Sequence, residues 1–204
     1  MKQREMNSKD LLLCFLYSPG QSKEINEAII GRTKLMKMMF LFEKEIYPLF
    51  FEDTLQIQLP EFRPYYFGPF CKQLFDDLSF FVAIGLIVTS ETTIPLSSAD
   101  KIESEDGPDE LLDDEWSVAM FDDENAERFE LSYALSKNGV RYVEENVWNL
   151  FSEYQKELLM KFKAQINRIS LDALLQYVYN KYPEEAVNSM IADKYLKRTE
   201  KDRC

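Results

Sequence analysis

Histidine is absent from the 204-residue chain. That removes Ser-His and Cys-His nucleophile pairs and every imidazole-based metal site. Cysteine is scarce, and Cys14, Cys71 and Cys204 stand far apart. They suit reduced thiols in a cytoplasm better than a disulfide frame or a structural zinc centre. Neither GxxxxGK[ST] nor GxGxxG occurs, so the usual phosphate-cradling loops are missing and no cofactor is expected. Long apolar runs are lacking too. The amino-terminal residues lead only to Leu11–Tyr17, with no small-residue cleavage site after it, so neither a membrane span nor a signal peptide is expected.

What is present is apolar and rich in rings. Hydrophobic residues make up 46% of the chain, with 15 Phe and 11 Tyr, which argues for a packed core and against disorder over most of the length. Such a length fits one large domain or a smaller one with a helical extension. The net charge of −12 is concentrated: residues 100–130 hold 14 acidic and two basic side chains, and the rest of the chain holds 22 of each. The acidity therefore belongs to one insertion, about residues 97–127. It reads as a solvated, mobile wing tip or, functionally, as an acidic mimic or docking strip for a basic partner.

Periodicity supplies the elements. Ser8 is expected to cap a first helix that ends at Ser18-Pro19-Gly20. A second starts at Gly31-Arg32-Thr33 and runs to about Ile46. Leu35, Met38, Met39 and Phe42 form its buried stripe, and Lys34, Lys37 and Lys44 lie off it. Leu55, Ile57 and Leu59 alternate as a short strand. An aromatic loop, Phe62 to Phe67, then meets Gly68-Pro69, and Pro69 suits the first turn of a third helix. Leu74, Leu78 and Phe81 share one face of that helix, and Gly85 can take the left-handed conformation that stops it. A strand from Leu86 to about Glu91 follows, and another is expected at Trp116–Phe121 inside the insertion. Phe129, Leu131, Tyr133 and Leu135 alternate as the returning strand. Ser136 to Gly139 opens a helix, a longer one runs from about Asn149 to Arg168, and Ser170 caps a third that ends at Tyr182-Pro183.

These elements predict an α+β, mostly α fold. Its core is a winged helix-turn-helix over about residues 8–147, followed by a C-terminal helical extension over 148–204. Leu35, Met39, Leu74, Leu78, Leu86 and Tyr133 are expected to share one core. The long helix is expected to pack on the helix after it, with homodimer formation through the C-terminal helices as the alternative.

Candidate binding residues fall in two groups. Arg32, Lys34, Lys37, Arg63 and Lys72 can form a basic face, against the plainer reading that they are ordinary surface charges. Tyr65, Tyr66, Phe67 and Phe70 form the densest aromatic cluster, either packing a loop onto the core or presenting a recognition patch. Asp76 and Asp77 read as solvated helix-surface residues, since neighbours on a helix point about 100° apart and make no acid/base pair.

Three stretches resemble a known family. Gly31 to Leu41 resembles the TKLQKLLYF-like helix of the SocA-like, or Panacea, antitoxin domain. The aromatic loop with Gly68-Pro69 and Gly85-Leu86-Ile87 resembles that family's second signature, and Tyr133 to Gly139 resembles the end of its wing. Residues 174–184 resemble the helical tail of uncharacterised prokaryotic proteins of the YwgA type. The resemblance implies a non-enzymatic, cytoplasmic module that binds a protein partner encoded nearby. Panacea domains are associated with toxin neutralisation, SocA-like members can act as protease adaptors, and relatives sit in phage-defence and mobile-element operons. The other readings are a winged-helix DNA-binding regulator, which the acidic wing disfavours, and a nuclease using Asp and Glu with Mg²⁺, for which no carboxylate cluster stands out.

Overall fold

The apolar run Leu11–Tyr17 becomes the centre of the molecule. In the computed structural model, which describes residues 4–50, 55–95 and 127–196, it lies in helix α1 (Ser8–Tyr17), and each of its residues is buried. A helix that is apolar all round has no face to give to water. Asn7, not Ser8, is the cap: its Oδ1 accepts from the Asp10 N–H at 2.8 Å. The helix closes where expected, with the Ser18 N–H donating to the Cys14 carbonyl at 2.8 Å.

Helix α2 (Arg32–Leu41) starts after Gly31 and buries every residue from Leu35 to Leu41, a wider face than the expected stripe. It does not continue evenly to Ile46. Its ladder widens into a π-helical turn at Phe42–Ile46, followed by a 3₁₀ turn at Tyr47–Leu49 that contains Pro48. Phe42 stays buried and meets Phe15 edge-on, with centroids 5.1 Å apart.

The strands are short. β1 (Arg4–Met6) is too brief to show in the sequence pattern, yet it pairs in parallel with β3 (Leu55–Ile57), Glu5 lying opposite Gln56. The two-residue β2 (Ile29–Ile30) joins β6 (Ile87–Pro95) and β7 (Glu127–Leu135) in an antiparallel sheet of order β2-β7-β6. The hairpin expected between Leu86 and Leu135 is therefore present, with Ile87 opposite Leu135 and Thr89 opposite Tyr133. The strand expected at Trp116–Phe121, and most of the acidic insertion, lie outside the described residues.

Between the strand pairs, the aromatic loop is itself a hairpin of β4 (Arg63–Tyr65) and β5 (Gly68–Phe70). Pro69 belongs to β5 and not to the first turn of the next helix, which begins three residues later as α3 (Lys72–Ala83). The physical reason is its register. Pro69 faces Pro64, and neither ring nitrogen can donate, so the ladder's bonds fall on the flanking residues. The other end of α3 follows expectation. Gly85 (φ +73°) donates to the Val82 carbonyl and Leu86 to the Phe81 carbonyl, both at 3.0 Å, which is the Schellman arrangement.

Beyond the hairpin, Ser136 caps α4 (Lys137–Asn146) and Ser170 caps α6 (Leu171–Lys181). Helix α5 (Glu153–Arg168) starts later than Asn149, at a capping box of Ser152 and Gln155, because Trp148–Leu150 forms a separate 3₁₀ turn. A 3₁₀ turn at Pro183–Ala186 and the short α7 (Ala192–Tyr195) follow. Helix α5 sets Phe162 against Phe15 of α1 at 6.0 Å. Helix α6 lies on α2. Leu35, Met39, Leu74, Leu78 and Tyr133 are buried in one cluster, which half-buried Leu86 packs against. Among the described residues, no helix is long and apolar enough to cross a membrane.

Candidate protein-interaction surface

The β4–β5 hairpin turns through only two residues, Tyr66 and Phe67, and this tight turn places its rings. Gly68 completes the turn at φ +81°, and a Cβ there would sit 3.3 Å from the ring of buried Tyr179. The hairpin backbone is held from two sides. From α2, Lys37 Nζ donates to the Pro69 carbonyl at 3.0 Å. From the C-terminal segment, the Met190 N–H and the Ser189 hydroxyl both donate to the Tyr66 carbonyl at 3.0 Å. Ser189 Oγ is in turn 2.6 Å from the Tyr179 hydroxyl, and Asn188 Nδ2 reaches the Pro64 carbonyl at 3.3 Å.

On this support the side chains form a row. The Arg63 guanidinium lies 5.9 Å from the Tyr65 ring. Tyr65 stacks on Phe70 with centroids 5.1 Å apart and planes inclined by 26°. Phe70 lies 6.2 Å from Phe75 of α3, and the Arg32 guanidinium at the start of α2 sits 4.1 Å above Phe75. Tyr66 leans on Tyr65 at 4.5 Å. Two guanidinium groups thus end a run of three rings, the five side chains coming from four elements. The rings are half-buried, Arg63 is exposed, and Met190 is exposed beside Tyr66. Such a surface can stack planar groups and pair carboxylates, because arginine offers both a flat face and a fork of donors.

The structure brings Arg32, Arg63, Tyr65 and Tyr66 together. Lys72 stands nearby on α3, exposed and paired with Asp76 at 3.3 Å, and half-buried Phe67 packs against the core. The other two expected lysines are elsewhere. Lys37 is 2% exposed, behind the hairpin and not on a basic face. Its position among the apolar residues of α2 takes it inside, and the Pro69 carbonyl gives its ammonium a partner. Lys34 is half-buried and donates to the Ile169 and Asn167 carbonyls at 2.7 and 3.4 Å, at the C-terminal end of α5. A cation is favoured at that end by the helix dipole. Burial pulls the Lys34 pKa down, and the Glu130 charge opposes this. Asp77 is likewise not solvated. It is buried, accepts from Gln73 Nε2 at 2.7 Å, and meets Lys9 at 3.3 Å, while exposed Asp76 conforms to expectation.

Two parts of the frame had no expectation attached to them. Phe75 completes the ring row, and its signal was the aromatic density from Phe62 to Phe81. Lys163, fully buried under the end of α1, donates to the Leu16 and Ser18 carbonyls at 2.9 and 2.7 Å. Burial lowers its pKa to about 7, against the pull of the nearby Glu27 charge. Burial also works to raise the Glu27 carboxyl, but hydrogen bonds from Ser22, Asn167 and the Gln21 N–H outweigh it and hold the group at about 2.

No known protein-family model matches the chain, and neither does any curated protein or solved structure.

Proposed function

We propose that the protein is a non-enzymatic interaction module with a winged-helix core. In this reading it acts in the cytoplasm as an antitoxin-like or accessory subunit of a prokaryotic toxin–antitoxin, phage-defence or mobile-element system. The observation that carries the reading is the braced row Arg63–Tyr65–Phe70–Phe75–Arg32. Arginine and aromatic side chains dominate interface hot spots, and a surface already held in place loses little entropy on binding. The resemblance of residues 31–41, 62–87 and 133–139 to the Panacea domain points the same way. Copurification from the native host, followed by mass spectrometry, tests the proposal. A stoichiometric partner encoded nearby is the expected result, and recovery of the chain alone, with no operon-linked toxicity, would sink it.

One observation favours a second reading, a DNA-binding regulator: α3 passes through Gly85 directly into the β6–β7 hairpin. Against it stand exposed Asp76 on α3 and the net charge of −12, both unfavourable beside phosphates. A mobility shift on the gene's own promoter, steeply dependent on salt, would support this reading, and no shift at low salt would end it.

A further inference from the structure

A concave surface elsewhere on the molecule shares no residue with the hairpin. Where the end of α1 meets the start of α5, a cleft of about 410 Å³ opens, with Tyr17, Trp148, Ile25 and Met160 on its walls and Glu153 and Glu157 at its edge. Its size is within the ordinary range for ligand sites. The Tyr17 and Trp148 rings meet edge-on at 5.0 Å, and the Tyr17 hydroxyl, donating to Glu144 at 3.0 Å, fixes that wall. Ile25 and Met160 are large apolar residues left 48% and 37% exposed. The chain already places one cation here: the Lys156 ammonium lies 6.0 Å from the Trp148 ring and 2.7 Å from Glu153.

We infer that this cleft docks a basic peptide segment of a partner protein, one that inserts an apolar side chain against Trp148 and Met160 and sets lysine or arginine beside Glu153 and Glu157. Charge at the rim argues for this occupant: the Glu153 and Glu157 side chains are 91% and 61% exposed, and their ion pairs with Lys156 and Lys161 exchange at little cost. The walls supply the apolar anchor: tryptophan, tyrosine and methionine are enriched where interfaces concentrate their binding energy.

The test uses the full chain with Trp116→Phe, which leaves Trp148 as the only one of two tryptophans. A short amphipathic Leu/Lys peptide is titrated while Trp148 emission is followed. Saturable binding is expected, weakened about tenfold or more, or by at least ~1.4 kcal/mol, by Met160→Asp and by Glu157→Lys, each melting like the parent. Glu91→Lys makes the same charge change on an exposed residue of β6, away from the cleft, and should leave the affinity within about twofold. Four results would overturn the inference: no emission change at low salt, equal binding of a Leu/Glu peptide, equal weakening by Glu91→Lys and Glu157→Lys, or a homodimer dispersed by Met160→Asp. The last would make a second copy the occupant.

Discussion

Lys37 Nζ donates to the Pro69 carbonyl at 3.0 Å from a position 2% exposed, so the lysine-bearing helix α2 holds the aromatic hairpin from behind. Lys37→Met keeps much of the side-chain volume but leaves that carbonyl without its donor. An unpaired buried acceptor costs about 1–3 kcal/mol. Urea unfolding should show a loss of that size, together with faster amide exchange in residues 63–70. Unchanged stability and protection would show that the contact is incidental.

Lys163 sets a pH dependence. Its folded pKa is about 7 against an ordinary 10.5. Between those values the unfolded chain holds a proton that the folded chain lacks, so stability rises with pH through the window, by at most about 1.4 kcal/mol per pH unit. The penalty is full below pH 7 and gone above 10.5. Denaturant titrations from neutral pH to about 9.5 avoid the tyrosines, whose ordinary values lie near 10. Wild type should gain stability relative to Lys163→Met across this range, and parallel curves would contradict the assignment.

Gly139, inside α4, tests packing against propensity. Alanine should favour the helix by about 1 kcal/mol. A Cβ at this position, however, would lie 2.1 Å from the Leu86 carbonyl oxygen, which the Ser136 N–H also holds. Gly139→Ala is therefore expected to destabilise the protein by about 1–3 kcal/mol. Thermal melting that shows a gain would mean that α4 and the start of β6 are less tightly apposed.

Leu78→Ala removes a side chain 4% exposed in the central cluster, and its loss should cost about 2–5 kcal/mol. A variant that melts like wild type would remove α3 from the core.

Local chemistry was legible from the residues: Ser170 as a cap, Ser136 to Gly139 as a helix start, Gly85 as a stop, and the alternation that marks β7. Ser152 and Gln155 also carried a capping-box signal, but the apolar Trp148–Phe151 stretch pulled the expected helix start forward to Asn149. The buried lysines were illegible, because a long chain with a charged tip can lie on either side of a helix boundary. Only α5 and the end of α1, distant in sequence, show that Lys163 lies inside. For the candidate surface, Arg63, Tyr65 and Tyr66 were legible as an aromatic and basic cluster. The brace from Ser189 and Met190 was not, since residues 187–191 carry no motif and acquire their role from a contact more than a hundred positions away.

The most direct measurement of the central claim compares partner retention by wild type with that by two hairpin variants, Arg63→Glu and Tyr65→Ala, expressed in the native host and isolated under identical conditions. Arg63 is exposed, so its variant should melt like wild type, and Tyr65→Ala guards against a purely electrostatic effect. The expected result is a stoichiometric protein partner with wild type, weakened by about tenfold or more in each variant while thermal stability is kept. A partner retained equally by all three proteins would contradict the assignment of this surface. The absence of any partner from wild type would contradict the function itself.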